Sequence, residues 1–138
     1  MEYRRLTGKD LDGLWEMQLA YKAEIGEAEP SGPDRERLRE AVDRDAIRFC
    51  GAWDGARLVG VCSVTLAFST FLYAPSGIFE DFYIRPAYRH KGIARELVRF
   101  ARQECGACTL TVGCADCDVP MYEALGFSIP LGRLLAFG

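Results

Sequence analysis

The chain has 138 residues, 49% of them hydrophobic and 27% charged, a composition that suits one globular domain rather than a disordered or fibrous chain. Its 17 Lys and Arg against 20 Asp and Glu leave a formal charge of −3, which argues against nucleic acid as a partner. No run approaches the roughly 20 apolar residues that span a bilayer, no apolar leader follows Met1, and there is no Asn to carry a glycan. The expected setting is the cytoplasm, with no membrane partner.

Residues 3–6 read as a short first strand, with Thr7 or Asp10 placed to cap the helix that follows. In that helix Leu11, Leu14, Trp15, Gln18, Tyr21 and Ile25 recur at three- and four-residue steps, a mostly apolar stripe that ends at Gly26. Residues 27–33 are rich in Gly, Pro and acid and read as a loop; a charged helix over 34–44 follows, with Leu38 and Val42 facing inward. Two strands, 47–53 and 57–68, flank Asp54-Gly55, a strong hairpin signal because both turn positions tolerate positive φ. Ala74-Pro75-Ser76-Gly77 predicts the next turn and 78–84 another strand. A helix then carries Ile93, Leu97, Phe100 and Ala101 on one side and Arg95, Arg99, Arg102 and Gln103 on the other. A buried strand is expected over 109–112, and Asp118-Val119-Pro120 predicts a short last helix ending at Gly126. Residues 127–137 predict two closing strands around Leu131-Gly132. The order βααβββαβαββ is that of an α/β domain on a mixed sheet, with one domain over 1–138.

The chemistry concentrates where the 78–84 strand meets the helix after it. The strand ends at Arg85-Pro86, a short Gly-containing turn follows, and the helix starts at once. That order leaves free backbone N–H groups at a helix N-terminus, a ready anion site. Arg89-x-x-Gly92-x-Ala94 occupies the turn; Gly92 lets the main chain approach a bulky phosphate, and Ala94 keeps the first helical turn uncrowded. This resembles the acyl-CoA pyrophosphate loop of the GCN5-related N-acetyltransferases (GNATs). A second point of resemblance is Val119-Pro120-Met121-Tyr122-Glu123-Ala124-Leu125-Gly126-Phe127, similar to that family's closing helix, which carries a Tyr and ends in Gly-Phe.

The resemblance covers nearly the whole chain. It implies an α/β GNAT fold, a mixed and mostly antiparallel sheet of six to seven strands flanked by about four helices. It also implies acetyl-CoA as co-substrate, with no metal. The amides of Arg89, His90, Lys91, Gly92, Ile93, Ala94 and Arg95 are then expected at the pyrophosphate. The strand Phe82-Tyr83-Ile84, splayed from its neighbour by a bulge, is expected to pair with the pantetheine. A primary amine has a pKa of about 10 in water, so it needs a base before it can attack a thioester. Glu80 matches the family position for that base, and a CoA thiolate leaving group needs a donor, for which Tyr122 matches. Asp81 is the neighbour of Glu80, and strand alternation predicts that only one of the two faces the acyl group. The N–H of Phe82 is expected to polarise the thioester oxygen. One departure stands out: where the family often places Asn before the last helix, this chain has Cys114-Ala115-Asp116-Cys117-Asp118.

The implied activity is acetyl transfer from acetyl-CoA to a primary amine, by direct attack in a ternary complex. A finer resemblance, of Phe68-Ser69-Thr70-Phe71 and of the segment from Gly77 to Tyr83, is to spermidine/spermine and thialysine acetyltransferases. It marks Glu24, Glu27, Phe68 and Asp81 as candidate acceptor contacts and a small polyamine-like or lysine-like amine as the acceptor. Two other readings stay open, a protein or peptide N-acetyltransferase and a non-catalytic acyl-CoA sensor. The apolar Leu134-Leu135-Ala136-Phe137 suits a strand shared with a second copy in a homodimer.

Six cysteines include two Cys-x-x-Cys pairs, Cys105/Cys108 and Cys114/Cys117. A zinc site is disfavoured, because the pairs flank a predicted strand that at about 3.3 Å per residue holds Cys108 and Cys114 nearly 20 Å apart. A redox pair at Cys114/Cys117 remains an alternative to small, half-buried hydrophobes kept reduced. Cys50 and Cys62, on the two hairpin strands, are expected in the core. His90 is the only histidine, and its place in the phosphate loop argues for a structural or phosphate-adjacent role.

Overall fold

The computed structural model describes residues 1–138. Its order is β1 (Glu2–Arg5), α1 (Leu11–Glu24), α2 (Gly32–Asp43), β2 (Arg48–Asp54), β3 (Arg57–Ser69), β4 (Ala74–Ile84), α3 (Ile93–Cys105), β5 (Leu110–Val112) and α4 (Val119–Ala124). Five strands form one mixed sheet in chain order, β1 to β4 antiparallel and β5 parallel to β4.

The expected six to seven strands become five. Residues 127–138 form no strand although they are rich in Leu and Phe. A strand needs an edge to pair with; β5 offers only three residues, Pro130 has no N–H to donate, and Gly132 turns the chain at φ 106°. A second correction concerns the turn before β4. It lies at residues 70–73, with Tyr73 at φ 49°, and Ala74 to Gly77 already belong to the strand. Gly77 is there for space: a Cβ would come 2.6 Å from the Leu110 side chain and 2.9 Å from that of Val64.

Local capping sets the helix starts. Thr7 and Asp10 form a reciprocal capping box on a 3-10 turn (Gly8–Asp10) that leads into α1, and Ser31 and Asp34 do the same for α2. Asp118 precedes α4 as expected but makes no side-chain capping bond. On α1 the buried residues are Leu14, Met17 and Gln18, while Ile25 falls past the helix end, 50% exposed.

Alternation along the strands divides the core between the two sheet faces. Cys50, Ala52, Val59, Cys62, Val64 and Phe79 pack under α3 against Ile93, Leu97, Val98, Ala101 and Cys105. On the opposite face Phe49, Trp53, Leu58, Val61 and Tyr83 meet Leu14 and Met17 of α1 and Leu6, with Leu38 and Val42 of α2 at the margin. Each fully buried Leu or Phe there contributes about 1.5–3 kcal/mol of transfer free energy. β4 thus lies between two hydrophobic layers, and its C-terminal end carries the site.

Candidate active site

Two irregularities of β4 build the site. On the β3 side the register passes from Ser63↔Glu80 to Val61↔Tyr83, so two steps along β3 answer three along β4. The extra residue is absorbed by Asp81, at φ 49°, as expected of a β-bulge. Phe79 and Phe82, three apart, consequently pack on the same face, with ring centroids 5.5 Å apart. On the other side β5 pairs only with residues 77–79. Beyond Phe79, residues 80–84 present an unpaired backbone edge toward a cleft.

The bulge overturns the expectation that Glu80 and Asp81 point to opposite faces. Alternation holds only in a regular strand, and here Glu80 is the cross-strand partner of Ser63 while Asp81 bonds the Ser63 hydroxyl, so both carboxylates lie on the face of the sheet that α1 covers. Burial first, then Asp81, Glu80 and Glu27, push the Tyr21 phenol above its ordinary pKa. Asp81 is half-buried and accepts a 2.9 Å hydrogen bond from the buried Ser63 hydroxyl, whereas Glu80 is exposed. The Tyr21 ring packs on the Tyr83 ring at 6.4 Å. Sequence reasoning placed Tyr21 on an apolar stripe and missed its place here; an aromatic with a polar tip at the solvent end of that stripe is the only signal it offered.

Tyr122, from α4, closes the other wall. Its ring lies 6.4 Å from Phe82 and meets Phe127 edge-on at 5.8 Å. The N–H of Phe127 donates to the Tyr122 carbonyl at 3.0 Å, which fixes the turn at Gly126. Burial pushes the Tyr122 phenol up to about 12, with smaller contributions from Tyr21, Cys114 and Asp118.

The loop after β4 rises through a 3-10 turn (Pro86–Tyr88) to His90 at φ 61° and Gly92 at φ 83°, the residue before α3. No side chain caps this helix, and its first backbone bond is the Glu96 N–H to the Gly92 carbonyl at 3.3 Å. The N–H groups of the first turn therefore face outward, with the positive end of the helix dipole behind them. A Cβ on Gly92 would meet no protein atom within 4 Å, so the position demands glycine for its φ and leaves open space above.

The Arg89 side chain turns back into the protein. Its Nε donates to the Ile84 carbonyl at 2.8 Å, its Nη2 to Glu24 at 2.6 Å, and its guanidinium lies 5.5 Å from the Tyr83 ring centroid. Glu24 is thereby engaged by the loop. Arg95 donates to the Ala124 carbonyl at 3.0 Å, joining the first turn of α3 to the end of α4. His90 and Lys91 are exposed, with the Lys91 ammonium 5.6 Å from the Tyr88 ring centroid, while Ile93 is buried and Ala94 half-buried. Phe68 is not brought to the site. It pairs with Pro75, five β3 residues from the Ser63↔Glu80 pair, and stands 67% exposed against Tyr73.

The site is an open cleft. Two surface depressions of about 640 and 630 Å³ lie elsewhere, beside Thr7, Lys9, Arg39 and Asp43 and beside Pro75, Arg102 and Cys108. No three His, Cys, Asp or Glu side chains converge in a way that could hold a metal ion, and no helix is long and apolar enough to cross a membrane.

The geometry agrees with what the chain is similar to. A search of curated proteins finds no match. Among solved structures, an aminoglycoside acetyltransferase from an uncultured soil metagenomic sample, in complex with sisomicin, superposes with a TM-score of 0.82 at 17% identity, covering 99% of this chain and 93% of that one. A predicted acetyltransferase with acetyl-CoA from Clostridium acetobutylicum gives 0.78 at 15% identity, over 99% and 95%. An acetyltransferase of Trypanosoma brucei gives 0.74 at 22% identity, over 99% and 98%. At such identities the likeness is one of fold. The family model for the acetyltransferase (GNAT) domain matches residues 45–129, from the approach to β2 through the Gly-Phe turn after α4, and the chain belongs to the GNAT acetyltransferases, a family of acyltransferase enzymes.

Proposed function

We propose that the chain acetylates a primary amine of a small molecule, taking the acetyl group from acetyl-CoA by direct attack within a ternary complex. The observation that carries this reading is the departure of β4 from β5 after Phe79, beside the uncapped start of α3. An unpaired strand edge suits the pantetheine amides, and outward N–H groups with open space above Gly92 suit the pyrophosphate. The residues that would hold acetyl-CoA are the backbone of Phe82, Tyr83 and Ile84 and the loop from Arg89 to Arg95. Arg89 acts from inside, holding the loop in shape.

Glu80, directly or through one water, removes the proton that the amine carries in solution. The amine nitrogen then attacks the thioester carbon, and the Phe82 N–H steadies the negative oxygen that forms. As the carbon–sulfur bond breaks, Tyr122 gives its proton to the leaving thiolate and later regains one from solvent. A phenol held near 12 is neutral at physiological pH, so Tyr122 has that proton to give.

The carboxylates of Glu27, Glu80 and Asp81 around Tyr21 favour an acceptor with positive charge, which polyamine-like, lysine-like and aminoglycoside-like amines share. A homodimer belongs to the same proposal. Ile129, Leu131, Leu134, Leu135 and Phe137 are each at least 77% exposed, and β5 is the last strand of the sheet, so a second copy has apolar surface and an open edge to meet.

The test is acetyl transfer to a panel of polyamines, lysine analogues, aminoglycosides, amino acids and short peptides, read by product mass. Acetylated product from the native chain that disappears in Glu80→Gln and Tyr122→Phe is expected. CoA binding without any product would favour a sensor, and no CoA binding would remove the basis of the proposal.

A further inference from the structure

Ser63 is 1% exposed, a hydroxyl in the middle of a row that runs Phe49, Ser63, Glu80 across β2, β3 and β4. Phe49 and Val61, its neighbours on that face of the sheet, belong to the apolar cluster under α1. A hydroxyl buried among such side chains is costly unless it finds an acceptor. The acceptor is Asp81 Oδ2, 2.9 Å away on the bulge of β4.

The backbone of Asp81 needs that bond in turn. At φ 49° it holds a conformation that glycine adopts freely and that other residues enter at a cost, Asp among the more tolerant. Without the bulge, alternation from Phe79 would put Asp81 and Tyr83 on the α3 face, with the Asp81 carboxylate in the apolar cluster of Cys62, Phe79 and Leu97. Phe82 would turn toward α1. In the bulged register Asp81 swings to the Ser63 side, Phe82 packs on Phe79 and Tyr122, and Tyr83 packs on Tyr21. A one-residue shift also exchanges the amides that face β3 with those that face the cleft.

We propose that Ser63 and Asp81 are positioning residues for the transfer: their hydrogen bond selects the bulged register of β4. That register decides which backbone groups of residues 82–84 face the cleft and where Glu80 stands. The inference rests on the acetyl-transfer reading of that cleft. Neither side chain touches the reacting atoms, and Asp81 serves the strand rather than the acceptor. The pair needs an acceptor oxygen at 81 and a hydroxyl at 63; it does not need the charge. A contact to a cationic amine would need the charge.

The experiment compares Asp81→Asn, Asp81→Ala, Ser63→Ala and the Ser63→Ala/Asp81→Ala double variant in the full chain. Asn keeps an acceptor oxygen and tolerates positive φ without the charge. Asp81→Asn should hold kcat/KM within about threefold of the native value. Each single alanine variant should lower kcat by about 10²-fold, the scale of an ångström-sized misplacement, with the amine KM little changed. The double variant should be no worse than the poorer single, because both remove one bond. Asp81→Asn as impaired as Asp81→Ala, with a raised amine KM, would overturn the proposal in favour of an acceptor contact. Losses that multiply in the double variant would overturn it too.

Ring contacts report the register without any ligand. NMR cross-peaks between Phe82 and Tyr122 and between Tyr21 and Tyr83 should persist in Asp81→Asn and vanish in Ser63→Ala; their survival in Ser63→Ala overturns the proposal. A native chain that acetylates no amine would overturn the acetyl-transfer reading, and the cross-peaks would then decide by themselves whether the pair selects the register. Should an alanine variant not fold, Ser63→Cys, similar in size and a weak donor, carries the same expectation, and retention of both kcat and cross-peaks overturns the proposal.

Discussion

The two halves of β4 share a strand and differ in what holds them. From Ala74 to Phe79 the strand has β3 along it, and residues 77–79 also pair with β5; Gly77 is so closely packed that a methyl group would strike Leu110. From Glu80 to Ile84 the strand keeps only β3, carries a bulge, and turns one residue to positive φ. The first half has its hydrogen bonds satisfied and contributes to stability. The second has an unpaired edge and a displaced side-chain pattern, and it brings Glu80, Asp81, Phe82 and Tyr83 together with Tyr21 and Tyr122. Structure and the proposed chemistry are segregated along one strand of 11 residues, about 35 Å long.

The largest expected effect sharpens that division. Tyr122→Phe should lower kcat/KM by about 10²–10⁴-fold, the usual span for general-acid work, with little loss of thermal stability. Stopped activity together with a much lower Tm would make Tyr122 a packing residue instead. In the first half, Phe79→Ala should cost about 3–5 kcal/mol of unfolding free energy in denaturant titrations, because the ring is fully buried between Phe82 and Phe127. A cost below about 1 kcal/mol would erase the distinction between the halves.

Gly92→Ala tests the loop. Strain at φ 83° of about 1–2 kcal/mol should appear as roughly tenfold weaker CoA binding by calorimetry, or as an equal loss of stability where the loop resists; a neutral result in both would separate the loop from the cleft. The pH profile is subtler. Since the Tyr122 phenol is raised to about 12, the donor stays protonated below that value, and kcat/KM should rise as the amine loses its proton, with no Tyr122-dependent fall up to about pH 10. A descending limb near pH 9 would place the donor elsewhere. Smallest is truncation after Leu131, expected to leave the cleft intact and reduce any dimer seen by light scattering; an unchanged mass would remove the tail from the interface.

The order of elements up to α4 and the loop at Arg89 were legible because each rests on local chemistry: apolar period, Asp-Gly, a strand running straight into a helix. The cleft was legible only through family resemblance. The bulge at Asp81 has no glycine to announce it, so alternation assigned Glu80 and Asp81 to opposite faces when both lie on the Ser63 side of the sheet. Ala74-Pro75-Ser76-Gly77 looked like a turn because Pro and Gly usually mark one. Here Gly77 answers to the Leu110 side chain, a contact 33 residues along the chain that no window of sequence contains. The tail misled for the opposite reason, having strand composition but no partner edge.

The bond from Arg89 to Glu24 has a consequence beyond holding a loop. It ties the last turn of α1, near Tyr21 on the proposed acceptor side, to the loop before α3, where acetyl-CoA is proposed to bind. An exposed pair of this kind is worth little in stability, but a ligand that strains or releases it on one side changes the cost of binding on the other. By thermodynamic linkage the factor is the same in both directions. Whatever acetyl-CoA does to the affinity for the amine through this pair, the amine does to the affinity for acetyl-CoA, and Glu24→Gln should bring both factors toward one.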